Sequence, residues 1–333
     1  MPLCRVAPLA AAAPPCSHAR APAPLPRALC FRSTPVHSLK RRLAAMRPPA
    51  AGGEEAGGSG AAAAGAEEEA EQQATRAAAA LAADTFLRDE ITVGVGTGPA
   101  VNALLEEIAA RQGAGKLRGL KCVPASDVAA SEAAFHGVPL TTLQEGQRLD
   151  FFFEAADELA ADAEGSLAFV IGRQHVPQPQ LHRVRELAEA ATTNVVLAQA
   201  AVVVPRLGGS LCVAVEEADW EESGEELDDI FLGDAELWRR STEEGAGPRG
   251  GDNPYVSPEG HTLIDIRFYE GLKLFGEDAD YGAIAREIEG VPGVVAHGLM
   301  ANVAAAAIVA GREGEAPRLV WRGEAAARGD NAA

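Results

Sequence analysis

The sequence predicts an α/β protein with a mostly parallel sheet and a smaller α+β domain set into it. Three observations point there. Strand-like apolar runs alternate with helix-forming runs from residue 91 to about 204, the pattern of strands joined by helical crossovers. The run Phe151-Phe152-Phe153 has no polar alternation, as expected of a strand covered on both faces. After "LGGS" at 207–210 the texture changes to acidic and Gly-rich segments interleaved with short apolar ones.

The elements follow in order. Residues 67–88, "EEEAEQQATRAAAALAADTFLR", are rich in helix formers, with acidic residues in the first turns where the helix dipole favours them. A strand over 91–95, "ITVGV", runs into a glycine turn and a helix over 99–112. Next come a strand at 120–124, a helix over 129–135, a short strand at 140–143, and the block "LDFFFEAADE" at 149–158. "LAFVI" at 167–171 reads as a strand, followed by a Gly/Gln/Pro loop, a helix over 181–192 and the apolar strand "VVLAQAAVVV" at 195–204. Beyond it, the acidic stretch "EEADWEESGEELDD" reads as a solvated face or loop. "TLIDIRF" at 262–268, a helix over 281–288 and "VVAHG" at 294–298 complete the smaller domain. The expected division is 67–210 plus 296–323 for the main domain and 211–295 for the smaller one.

The ends differ from this body. Residues 1–50 hold eight Lys/Arg and no Asp or Glu, which with abundant Ala and Pro suggests an organelle transit peptide, plastid first and mitochondrion second. Residues 51–66, "AGGEEAGGSGAAAAGA", read as a flexible linker, and 324–333 as a disordered tail. The chain carries a net charge of −19, concentrated outside the leader, so the body should repel nucleic acid and anionic membranes. No apolar run reaches membrane-spanning length. Of five cysteines, only Cys122 and Cys212 lie outside the leader. With no C-x-x-C spacing, they are expected to be buried, inert thiols. His136, His261 and His297 sit on separate segments, without the paired spacing of metal ligands.

The motif that carries chemistry is "VGVGTGPA" at 93–100. Strand, glycine turn and helix present backbone N–H groups to an anion. Gly94, Gly96 and Gly98 are spaced G-x-G-x-G, which lacks the G-x-G-x-x-G register of a dinucleotide site and the G-K-[ST] of a P-loop.

The order of segments, together with "VGVGTG", "RQGAGKLRGLKCVPAS" at 111–126, "LDFFFEAADE", "LGGS" and "GVPGVVAHGLM" at 290–300, resembles the A-type ribose-5-phosphate isomerases, especially plastid members from plants and algae. The resemblance runs from about residue 70 to 322. It implies a Rossmann-like domain with an inserted α+β domain, assembly as an oligomer, and interconversion of ribose 5-phosphate and ribulose 5-phosphate without metal or organic cofactor. It also implies sugar-phosphate contacts at Gly96, Thr97, Gly98, Asp157, Gly172 and Arg173, and catalytic carboxylates at Glu154, Asp157 and Glu186.

Departures from the family pattern cluster at the chemistry. The two hydroxyl residues after Gly98 are Pro99 and Ala100, and the first aspartate of the carboxylate block is Glu154. The catalytic lysine position falls on Ile171, beside Gly172 and Arg173, and the phosphate lysine position falls on Val202 of "QAAV", with Gln199 in place of aspartate. The base aligns with Glu186 if one residue is deleted after it, and with Arg185 otherwise. The expectation is a family member of weak or lost activity. The alternatives are an active isomerase with shifted residues, or a non-catalytic binding or regulatory subunit paired with an active homologue.

Overall fold

The structure, a computed structural model, describes residues 59–323 apart from 162–164, 174, 175, 177, 244, 278, 279 and 313. The proposed transit peptide and the C-terminal tail lie outside the described residues. Helix α1 spans Ser59–Phe86. Residues 59–66, expected as flexible linker, are therefore helical: four consecutive alanines, the strongest helix formers, extend the packed part of the helix toward its start.

The main sheet has six strands in the order β13-β12-β6-β3-β1-β2. These are β1 (Thr92–Val95), β2 (Lys121–Pro124), β3 (Leu149–Ala155), β6 (Ala191–Ala198), β12 (Ala306–Val309) and β13 (Arg318–Trp321). All neighbours pair in parallel except β12 and β13. The centre is held by β3 and β6, with β1 one position in from the edge. Helices α2 (Pro99–Gly113), α3 (Asp127–His136) and α4 (Leu181–Ala190) join these strands.

The unbroken Phe run now has a physical account. Phe151 and Phe153 pack with Val93, Leu104, Ile108 and α1 residues Ala82 and Phe86 on one face. Phe152 packs with Leu181, Leu187 and Val196 on the other. Alternate residues of a strand point to opposite faces, and here both faces are covered.

A second sheet, entirely antiparallel, has the order β10-β7-β9-β8, built from β7 (Ser210–Val215), β8 (Ala235–Arg239), β9 (Thr262–Phe268) and β10 (Val294–His297). Helices α5 (Trp220–Ile230) and α6 (Tyr281–Gly290) cover it, through Leu227, Ile284 and Ile288. The acidic stretch is mostly α5: its carboxylates are solvated while Ser223 and Leu227 are buried, an amphipathic helix rather than a loop. A third, three-stranded sheet has β11 (Leu299–Ala301), β5 (Leu167–Val170) and β4 (Glu158–Ala161); β4 and β5 fall between β3 and β6 in sequence, and β11 between β10 and β12.

Two expected strands are corrected. Residues 140–143 form no strand, only a bridge from Leu140 to Cys122. The apolar run at 195–204 stops at Ala198, followed by a 3₁₀ turn at Ala200–Val202. Cys122 and Cys212 are fully buried, and burial pushes both thiols up to about 12.

Candidate active site

The glycine turn between β1 and α2 is shaped by β3. A Cβ on Gly94 would lie 2.7 Å from Phe152 Cδ2, one on Gly96 would lie 2.1 Å from the Glu154 carboxylate oxygens, and one on Gly98 would lie 2.6 Å from Ala155 Cβ. Each glycine of the G-x-G-x-G run thus clears one residue of β3: Phe152, Glu154 and Ala155 in turn. Gly98 also has φ 144°, a conformation that favours glycine.

Beyond the turn lies a cavity of about 580 Å³ lined by Gly96, Thr97, Gly98, Pro99, Asp157, Gln199 and Val202, among others. Pro99 occupies the first turn of α2, where its missing N–H costs the helix nothing but removes one donor from the cavity. A smaller void of about 30 Å³ adjoins it, lined by Thr97, Ser126, Glu154, Asp157, Ile171, Gly172, Leu181 and Val184 among others. It is large enough for a water molecule.

Glu154 is the central polar group. Its Oε1 accepts from the Thr97 N–H at 2.9 Å and the Ala155 N–H at 3.0 Å. Its Oε2 is buried without a hydrogen-bond partner among the described residues. Burial pushes this carboxyl up to about 8; the two backbone bonds pull it down, and nearby Asp157 raises it further. At neutral pH Glu154 is therefore mostly protonated, with a proton to donate. The Thr97 and Ser126 hydroxyls are 2.7 Å apart, and Ser126 Oγ caps α3 by accepting from the Ala129 N–H at 3.0 Å. Asp157 Oδ2 accepts from the Arg173 N–H at 2.9 Å.

The Arg173 side chain is engaged elsewhere, while Gly172 stays at the site. The Arg173 guanidinium pairs with Glu158 at 2.8 Å, donates to the Ser210 carbonyl at 3.0 Å and also to the Gly208 carbonyl. It therefore clamps the "LGGS" turn. Gly172 lines the small void, and its carbonyl accepts from Arg240, whose guanidinium forms a buried pair with Asp265.

Glu186 lines neither cavity and pairs with Arg183 on α4. The face of α4 turned to the site carries Leu181 and Val184. Arg185 points to Glu289 at 2.8 Å and to the His297 ring. His297 is fully buried, and burial and then Arg185 push it down to about 3. Neither alignment of the base brings a carboxylate to the cavity. Ile171, at the expected lysine position, lines the small void together with Glu154. Sequence reasoning passed over Ser126, Glu132 and Arg240. Ser126 was visible as a helix cap, whereas Arg240 depends on pairing across β8 and β9.

The fold and this turn define an α/β protein that opens a strand–glycine–helix corner onto a small-molecule cavity. Residues 121–314 match the family model of ribose 5-phosphate isomerase A (phosphoriboisomerase A). The chain is 33% identical over 230 residues to ribose-5-phosphate isomerase A of Roseiflexus sp. (strain RS-1), covering 67% of this chain and 86% of that protein. It is 28% identical over 231 residues to the probable ribose-5-phosphate isomerase 3, chloroplastic, of Arabidopsis thaliana, covering 68% of this chain and 76% of that one. The fold is similar to the solved ribose 5-phosphate isomerase from Plasmodium falciparum, with TM-score 0.64, 22% identity, and coverage of 75% of this chain and 98% of that one. It is also similar to a D-ribose-5-phosphate isomerase in complex with phospho-erythronic acid, with TM-score 0.63, 23% identity, and coverage of 75% and 99%. The chain belongs to the ribose 5-phosphate isomerase A family.

Proposed function

We propose that this chain is a ribose-5-phosphate isomerase-like protein whose isomerase activity is weak or lost. The observation that carries this reading is the lining of the cavity beside the glycine turn. Among the described residues it holds no Lys, Arg or His, and its neighbouring glutamate is buried and mostly protonated at neutral pH. Aldose–ketose isomerisation needs a base that moves a proton between C1 and C2 and a positive group or donor for the enediolate. Losing a general base costs about 10²–10⁴ in rate, and losing an electrostatic stabiliser about 10²–10³. Asp157 is the one carboxylate of the three expected that lines the large cavity; Glu154 reaches only the small void and Glu186 neither. The basic, acid-free leader and the chloroplastic Arabidopsis relative support a plastid location for the chain.

The direct test is ketose formation from ribose 5-phosphate by the purified full chain. The reading expects turnover well below the ordinary range of roughly 1–10³ s⁻¹. Turnover within that range would show an active isomerase with shifted residues.

A further inference from the structure

Where α2 and α3 line the large cavity, the wall is mostly aliphatic, with Val101 and Leu105 from one helix and Val128 and Ala129 from the other. Asn102 interrupts it. This residue is half-buried and lies one turn along α2 from Pro99, on the cavity side. Asparagine is a weak helix former, and its amide is costly to enclose without partners. Its Oδ1 lies 2.7 Å from Nε2 of His136, the last residue of α3. His136 itself lines neither cavity.

That contact decides which end of the amide is left for a ligand. Nε2 carries a proton in the imidazolium and in the Nε2–H tautomer alike, and in both forms it donates to Oδ1. Only the Nδ1–H tautomer would turn the amide round, and no hydrogen bond to Nδ1 favours it among the described residues. With Oδ1 taken, the two Nδ2 protons remain, and no described residue accepts them. Other polar groups of the cavity are tied within the protein. The Thr97 hydroxyl is 2.7 Å from Ser126 Oγ, and Asp157 Oδ2 accepts from the Arg173 N–H. Asn102 is thus a side-chain donor of the cavity whose direction is set by a residue behind the wall.

We propose that Asn102 contacts the ligand of this cavity, donating through Nδ2 to an oxygen of a bound sugar phosphate, and that His136 is the positioning residue that holds the amide in that orientation. The proposal rests on the reading of the chain as a ribose-5-phosphate isomerase-like protein. A donor fixed before the ligand arrives costs little ordering when it binds. Hydroxyl and phosphate oxygens both accept, so the contact serves either part of the ligand. It also gives the first turn of α2 a side-chain donor where Pro99 and Ala100 have none.

The test is calorimetric titration of the full chain with ribose 5-phosphate, with the ketose assay run on the same preparations. Asn102→Leu, which removes the donor and keeps the bulk, should weaken binding about three- to tenfold. His136→Leu should weaken it about threefold, whereas His136→Gln, which can still donate to Oδ1, should stay within about twofold of the unmodified chain. Because His136 acts through Asn102, adding His136→Leu to Asn102→Leu should change affinity by less than about twofold further. Circular dichroism checks folding, and Asn102→Ala replaces Asn102→Leu if the latter does not fold. A pair that merely ties α2 to α3 would lower stability in both leucine variants and leave affinity within about twofold, which would overturn the inference. No binding by the unmodified chain would also overturn it, as would equal losses in His136→Gln and His136→Leu or effects that multiply in the double variant. Turnover in the ordinary range would overturn the weak-or-lost reading by itself, while the affinities still decide the role of Asn102.

Discussion

Two neighbouring regions of the molecule treat charge in opposite ways. At the cavity, no Lys, Arg or His lines the wall among the described residues, and one buried carboxyl oxygen has no hydrogen-bond partner among them. A few residues away, three arginines are each tied to internal partners. Arg173 binds Glu158 and the carbonyls of the "LGGS" turn, Arg240 binds Asp265 and the Gly172 carbonyl, and Arg185 binds Glu289 and His297. Positive charge is therefore close to the site but held in the framework. A scaffold can keep its shape through such clamps while its chemistry is altered, because the two depend on different side chains.

The largest expected effect comes from breaking a clamp. Arg240→Leu leaves Asp265, 2% exposed, as an uncompensated buried charge, and should lower unfolding free energy by about 3–5 kcal/mol in chemical denaturation. A loss below about 1 kcal/mol would mean that this framework does not depend on its buried pair.

The next effect sharpens the other side of the comparison. Glu154 rises from an ordinary 4.5 to about 8 on folding, so the native state binds the extra proton between those values. Stability should fall as pH rises through that window, by up to about 1.4 kcal/mol per pH unit. Glu154→Gln keeps an acceptor for the Thr97 N–H and removes the slope. Its stability relative to the unmodified chain should therefore grow from pH 5 to pH 8 in denaturant melts. Parallel pH profiles for the two chains would show that the carboxyl is not held protonated.

The smallest effect belongs to α4. Glu186 and Arg183 form a half-exposed pair one turn apart, so Glu186→Ala should cost no more than about 0.5 kcal/mol. It should leave ligand titrations unchanged. A loss of binding would return Glu186 to the site.

Much of the framework was legible in the sequence. Strand β1, the glycine turn, α2 and the doubly covered Phe run follow from periodicity and glycine placement, because each depends on near neighbours in the chain. Strands β4, β8, β11, β12 and β13 span three to five residues, too short for alternation to declare itself. Their identity comes from tertiary pairing.

The site was less legible. An Arg-Glu match drew attention to Glu186, yet the buried face of α4 is set by Leu181, Val184 and Ala188. That three- and four-residue spacing places 186 off the face. The signal was present as helical geometry rather than as motif. Nothing local announces Glu154 as a protonated acid: its environment is assembled from Gly96, Thr97 and Ile171, brought together by β1, β3 and the segment after β5.

The central claim is that this family scaffold no longer moves the sugar proton at an ordinary rate. Ribose 5-phosphate incubated with the full chain in deuterium oxide reports that step directly, since abstraction at C2 exchanges the proton with solvent whether or not product is released. Proton NMR should show no deuterium at C2, or at C1 of any ketose, beyond a heat-denatured control on the time scale of ordinary turnover. Exchange at roughly 1–10³ s⁻¹ would contradict the account and make the cavity beside Gly96 and Asp157 a working active site.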